Sequence, residues 1–404
     1  MTDHLPPGFR HDAIHAGEAD PLAADGLTPD LVLASSFQVQ PGIGFSATEM
    51  QDDTPYFYTR WANPTVRRLE RKVAALDGGE DAVCFGSGMA AISHLWLSLL
   101  SAGDRLVLSN VCYAGAAELA HDTLPRFGIE VVRVDTSDLA AVEAALTPNT
   151  KLVHIETPAN PILRLSDIRA IAGLAQGAGA QLAVDSTMAT PVATRPLDLG
   201  ADFVVHSLTK YACGHGGDAL GGAVIGRQAA MQALRQDALI HMGGTLSPFH
   251  AWIILRSLHT LDMRMAAHQQ NALALAEAMV DHPGVARVLY PGLPSHPQHA
   301  LARRQMANFS GMVSLVIRVD PDALARRIAS DCRAFRYAVS LGKSKSLAVY
   351  IPTEDVLRTS FRLPEAEADA YRAWAGPGVL RLSIGLEPTE QIIDDLSAAL
   401  HAVG

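Results

Sequence analysis

Seven short apolar runs alternate with helical stretches between residues 82 and 225, and this alternation does most to narrow the folds open to the chain. The runs span 82–85, 105–109, 130–134, 151–156, 181–185, 203–206 and 223–225. Each has strand length, and several, such as Phe203-Val204-Val205, are rich in β-branched or aromatic residues. Strand and helix in regular alternation predict a mainly parallel sheet with helices on both faces. Ligands of such sheets gather at the C-terminal ends of the strands. A helical pattern through Val66, Leu69, Val73 and Leu76 precedes the first run, starting from Asn63 and stopped by Gly78-Gly79.

Two charged residues sit at those strand ends. Asp185 closes the run 181–185, and Lys210 lies just past 203–206, before a small-residue loop over 212–222. Ser207 and Thr209 flank the lysine at the alternation of an extended chain showing one face, and their hydroxyls can bind a phosphate. A second phosphate signal is Gly86-Ser87-Gly88-Met89-Ala90-Ala91, which follows a strand and opens an apolar helix over 92–100. The pattern fits G-x-G-x-x-A, so a dinucleotide-binding dehydrogenase has to be weighed. That reading expects an acidic residue about 20 positions on, at the next strand end, where this chain has Ser109-Asn110. The same geometry holds any phosphate through backbone N–H groups at a helix N-terminus. Ser87, Gly88 and Met89 are therefore assigned to a cofactor phosphate. A lysine amine, a carboxylate for a protonated ring nitrogen and a phosphate cradle together describe a pyridoxal 5'-phosphate site, with Lys210 as the Schiff-base lysine.

The segment Val184-Asp185-Ser186-Thr187, then Arg195-Pro196-Leu197-Asp198-Leu199-Gly200-Ala201-Asp202 and His206-Ser207-Leu208-Thr209-Lys210-Tyr211, resembles the signature of the Cys/Met-metabolism pyridoxal-phosphate enzymes. These are the trans-sulfuration enzymes: methionine γ-lyase, cystathionine γ-synthase, cystathionine lyases and homoserine-ester sulfhydrylases. The resemblance recurs in Tyr58-Thr59-Arg60 with Asn63-Pro64-Thr65, in Glu156-Thr157-Pro158-Ala159-Asn160-Pro161 and in Arg381-Leu382-Ser383-Ile384-Gly385. It implies a fold-type I large domain of the aspartate aminotransferase kind, over residues 63–258, and a smaller α+β domain over 259–404. Residues 1–62 would form an arm on a neighbouring subunit, with Tyr58 and Arg60 reaching that neighbour's cofactor phosphate. The active unit would be a homodimer, and two such dimers would pair into a tetramer. The resemblance also implies that Tyr113 stacks on the cofactor ring and moves a proton at the leaving group. Asn160 would bond the ring oxygen and the substrate carboxylate, and Ser340 with Arg381 would hold that carboxylate. Gly115 departs from methionine γ-lyases, which commonly carry cysteine there, and Lys343-Ser344-Lys345-Ser346 is more basic than the family's usual loop.

The residues argue for several of these roles independently. Arg381 stands between Leu380 and Leu382 in an apolar strand, where a guanidinium needs a partner; a substrate carboxylate or a structural acid would both serve. Tyr113 near a helix start is open to core packing as well as catalysis. Residues 1–62 are rich in Pro, Gly, Asp and Thr with weak periodicity, and are not expected to fold alone. After about residue 258 the expected order is a long helix over 259–280, strands over 287–290 and 312–319, a helix over 321–329, and strands near Val339 and over 379–384.

Composition limits the partners. A 404-residue chain with 49% hydrophobic residues can bury a sizeable core, and a net charge of -10 gives no electrostatic case for nucleic acid or an acidic membrane. Cys84, Cys112, Cys213 and Cys332 are scattered without metal-ligand spacing, so neither a zinc site nor a disulfide framework is expected, and a cytoplasmic setting is. A small amino-acid substrate fits. Lys210 as base at Cα, Asp185 on the ring nitrogen and Tyr113 as acid would expel a γ-substituent. Elimination to a 2-oxo acid, ammonia and a thiol, in the manner of methionine γ-lyase, is the expected outcome. Replacement by a thiol on an O-acyl homoserine stays open as the alternative, and a cofactor-free scaffold is the reading from another class.

Overall fold

The computed structural model describes residues 5–18, 27–42 and 55–404. All seven expected runs are strands: β1 (Asp81–Phe85), β2 (Arg105–Ser109), β3 (Glu130–Val134), β4 (Thr150–Glu156), β5 (Gln181–Asp185), β6 (Phe203–His206) and β7 (Gly222–Gly226). They form one sheet in the order β1-β7-β6-β5-β4-β2-β3. Only β7 runs against its neighbours β1 and β6, and the remaining pairs are parallel. Successive residues feed opposite faces, as a pleated strand requires. Leu106 and Leu108 join Leu95 and Trp96 on one face, whereas Val107 joins Ile168 and Ile171 on the other. Helices therefore cover both faces.

Helix α1 (Phe9–His15) packs on α2 (Pro64–Asp77). Phe9 and Ala13, one turn apart, are buried against Val66 and Leu69, and the buried Lys72 ammonium donates to the carbonyls of Ala13 and Ile14. Within this segment a single i,i+4 apolar pair with a waiting partner helix stabilises about two turns of helix where periodicity alone is weak. Asn63 caps α2 as its position suggested, its side chain accepting from Thr65 N at 2.9 Å.

A second sheet holds β8 (Val285–Leu289), β9 (Met312–Ile317), β10 (Phe335–Tyr337), β11 (Ser346–Pro352) and β12 (Gly378–Ser383), in the order β10-β11-β12-β9-β8. The helix Leu261–Val280 serves both parts. Leu261 and Met265 belong to the core beneath the large sheet, and Ala272, Leu275 and Met279 to that of the small one. The strand expected near Val339 ends earlier, at Tyr337, and β11 was not anticipated. Val339 is 74% exposed, and Ser340 adopts a left-handed φ of 86°. This turn carries the chain away from the sheet and towards Lys210.

Candidate active site

A cavity of about 200 Å³ opens at the C-terminal ends of the central strands. Ser87, Gly88 and Met89 form one wall, where α3 (Gly88–Leu99) begins. Ser87 caps this helix, its Oγ accepting from Ala90 N at 3.1 Å. The first N–H groups of the helix have no intrahelical acceptor and make an anion cradle. Glycine is required at 88: a Cβ there would stand 2.7 Å from the Cβ of Ser207.

Opposite this wall, Ser207, Thr209 and Lys210 line the cavity. They do not lie on an extended chain. Lys210 N bonds back to Ser207 O at 3.1 Å, so the segment after β6 is a turn, a correction to the expected strand-like alternation. The turn is held by Thr209, whose hydroxyl donates to Gly221 O and accepts from Gly221 N at 3.0 Å, and by Ser207 N, which donates to Thr187 Oγ1 at 2.8 Å. Both hydroxyl residues still face the cavity.

Lys210 Nζ donates to Ser340 Oγ at 3.0 Å. Burial pushes its pKa down, and the nearby charges of Arg381 and Lys343 push it further, both favouring the neutral amine that can act as a base. Arg381, on β12 and 8% exposed, donates to Asn160 Oδ1 at 3.2 Å and to Ser340 O at 3.0 Å. It forms no ion pair among the described residues. Lysine, serine, arginine and asparagine, drawn from separate parts of the chain, thus meet in one hydrogen-bonded group.

Asp185 ends β5 with Oδ1 accepting from Thr187 N at 3.0 Å. Burial raises its pKa, against the bonds from Thr187 and the positive field of His206. His206 closes the neighbouring strand. Burial works against its charge, but Asp77, 3.0 Å away, outweighs this and raises its pKa. His206 is thus held by Asp77 and acts electrostatically on Asp185.

Glu156 lines the cavity as well, and sequence reasoning passed over it. The signal was present: like Asp185, it is a carboxylate closing an apolar run, and the two are register partners across β4 and β5. Thr187, Met188 and Leu341 complete the wall. Tyr113, at the start of α4 (Ala114–Glu118), stands at the mouth and is 46% exposed.

Tyr58 and Arg60 are not among the cavity's lining residues. The Arg60 guanidinium lies over the Tyr58 ring, 5.4 Å from its centroid, and donates to the carbonyls of Leu239 and Ile240 of its own chain. Among the described residues no cluster of His, Cys, Asp and Glu could hold a metal ion, and no helix is long and apolar enough to cross a membrane.

Residues 11–401 match the family model described as Cys/Met metabolism PLP-dependent enzyme. The chain is 44% identical to an O-succinylhomoserine sulfhydrylase of Pseudomonas aeruginosa over 346 residues, covering 86% of this chain and 84% of that one. It is 38% identical to an L-methionine gamma-lyase of Pseudomonas putida over 398 residues, 98% of each chain. Its fold overlays a crystal structure of cystathionine gamma synthase from Xanthomonas oryzae pv. oryzae, in complex with aminoacrylate and cysteine, with a TM-score of 0.87 at 37% identity over 98% of each chain.

Proposed function

We propose, because this chain belongs to the Cys/Met metabolism PLP-dependent enzyme family, that it eliminates the γ-substituent of a sulfur amino acid, releasing a 2-oxo acid, ammonia and a thiol. Fold-type I architecture and dependence on pyridoxal phosphate come with that membership. The observation that carries an amino-acid substrate is Arg381: a buried guanidinium whose hydrogen-bond partners among the described residues are neutral, Asn160 of the cavity wall and the Ser340 that also holds Lys210, is waiting for a carboxylate.

The residues fit the cofactor. Ser87, Gly88, Met89, Ser207 and Thr209 would hold its phosphate, Asp185 its ring nitrogen, Tyr113 its ring face and Asn160 its ring oxygen. When bound, the group supplies an electron sink for charge developing at the substrate carbons. Arg381 and Ser340 orient the α-carboxylate. This leaves the Cα–H bond towards Lys210 Nζ, which takes that proton as general base and delivers and removes protons along the chain to Cβ. Tyr113 gives its hydroxyl proton to the departing γ-sulfur. The match along 98% of an L-methionine gamma-lyase supports elimination.

A second reading, replacement of the acyl group of an O-acyl homoserine by a thiol, is favoured by Lys343. Its side chain lies over Gly217, where a Cβ would meet Lys343 Cε at 2.8 Å, and makes no hydrogen bond or ion pair among the described residues. The ammonium would suit the free carboxylate of a succinyl group, and the O-succinylhomoserine sulfhydrylase relative agrees. Assaying methionine, cystathionine, homocysteine and O-acyl homoserines, each with and without added thiol, separates the two. Release of 2-oxo acid without thiol supports elimination; product only from O-acyl homoserine plus thiol overturns it. On the second reading, Lys343→Ala raises KM for O-succinylhomoserine roughly fivefold, the worth of a half-exposed ion pair, and leaves KM for the uncharged O-acetyl ester unchanged.

The active unit of this proposal is a dimer within a tetramer, with Tyr58 and Arg60 serving the neighbour's phosphate; their standing outside their own chain's cavity lining supports it. Arg60→Ala then weakens cofactor retention by about 2 kcal/mol, one charge-assisted hydrogen bond. Reassembling Arg60→Ala with inactive Lys210→Ala subunits should restore activity, since one pocket of each mixed dimer is whole. Verified mixed dimers that gain none would return the arm to its own subunit.

A further inference from the structure

Glu156 has no part in the proton transfers above, yet both of its side-chain oxygens are engaged. It is 7% exposed and ends β4 beside Asp185. Its two oxygens serve two different segments. Oε2 accepts from the backbone N–H of Tyr113 at 2.6 Å, and Oε1 from that of Asn160 at 2.9 Å. Tyr113 begins α4, whereas Asn160 follows β4 and carries the acceptor for Arg381. One carboxylate therefore joins the residue at the leaving-group side of the cavity to the residue at the carboxylate side.

Burying an acid here is costly: desolvation, with the charge of Asp185 adding, pushes the Glu156 carboxyl up to about 8, and the two N–H bonds and Arg381 only partly offset this. A fold that merely needed to fill the space would take an apolar residue at lower cost. The carboxyl group offers two oxygens, one for each of the two separate N–H groups.

We propose that Glu156 is a positioning residue: it clamps the backbones of Tyr113 and Asn160 to the end of β4 and so fixes where the tyrosine hydroxyl meets the departing γ-group. The proposal rests on the reading of Tyr113 as the acid for that departure. As the bond from Cγ to the leaving atom breaks, its electron pair stays with that atom and the tyrosine proton neutralises it. A thiolate, a poor leaving group, depends on that proton; an acyl carboxylate leaves without it. Misplacing the hydroxyl therefore slows one class of substrate and spares the other.

The test compares kcat on a thioether amino acid with kcat on O-acetylhomoserine, for the holoenzyme, Tyr113→Phe, Glu156→Gln and Glu156→Asp. Glutamine keeps the shape but faces one N–H with an NH2 group, and aspartate keeps both oxygens but shortens the reach. Both are expected to lower kcat on the thioether by roughly tenfold more than on the ester, the scale of a sub-ångström misplacement, with KM and cofactor absorbance little changed. Tyr113→Phe should discriminate in the same direction and more strongly. If it discriminates and neither Glu156 variant does, the clamp is overturned alone. If Tyr113→Phe slows both substrates alike, the tyrosine's role falls and the proposal with it.

Discussion

Lys210→Ala is expected to abolish turnover on every substrate, by on the order of a thousandfold or more, while the chain still folds. Base and cofactor attachment are one side chain, so their losses coincide. The fold survives because the lysine contributes little to it. Among the described residues its one side-chain hydrogen bond is to Ser340 Oγ, and burial already disfavours its charge. Removing a desolvated ammonium relieves a cost, and Ser340, which is not fully buried, keeps access to water as a partner. Steady-state assays across the substrate panel, together with thermal unfolding, check both halves. Activity above a trace on any substrate would require a different base.

Asp185→Asn is expected to retain bound cofactor, through the phosphate cradle and Lys210, and to lose about a hundredfold in kcat. A neutral amide cannot stabilise a protonated ring nitrogen as a carboxylate does, and one such charge pair in a buried site is worth about 3 kcal/mol. The change reaches the neighbouring strand end too. With residue 185 neutral, the Glu156 carboxyl loses the negative neighbour that helps to hold its pKa near 8. His206 would lose one of the two acids that raise its pKa and keep the other, Asp77. The check is kcat alongside the absorbance of bound cofactor; an unchanged kcat at full occupancy would remove Asp185 from the ring.

Much of this was legible because the same local signal repeats. A charge at or just past the end of an apolar run marks a strand end that opens on the cavity, and Asp185 and Lys210 were expected there on that ground. Ser87 and Gly88 were legible for a different reason, since a cap and a close backbone approach are local demands on residue type. What was not legible depends on contacts distant in sequence. The turn from Ser207 to Lys210 is imposed by Thr187 and Gly221, so the alternation of hydroxyls there carried no information on backbone shape. Ser340 reaches Lys210 only because of its left-handed turn, which no neighbouring glycine or asparagine announces at 339 or 340. Helix α1 owes its existence to α2. Glu156 showed the signal used for Asp185 but lacked a distinct chemical task to draw attention to it; its task is to hold two other residues in place.

On the proposed function, Lys210 bears the cofactor and moves the protons. Borohydride reduction of the holoenzyme followed by peptide mass mapping tests the first of these directly, with no dependence on knowing the substrate. Loss of the visible absorbance with a single pyridoxyl-phosphate adduct, on the peptide containing Lys210, is the predicted result. An adduct on another lysine, with Lys210 recovered unmodified, would contradict the account.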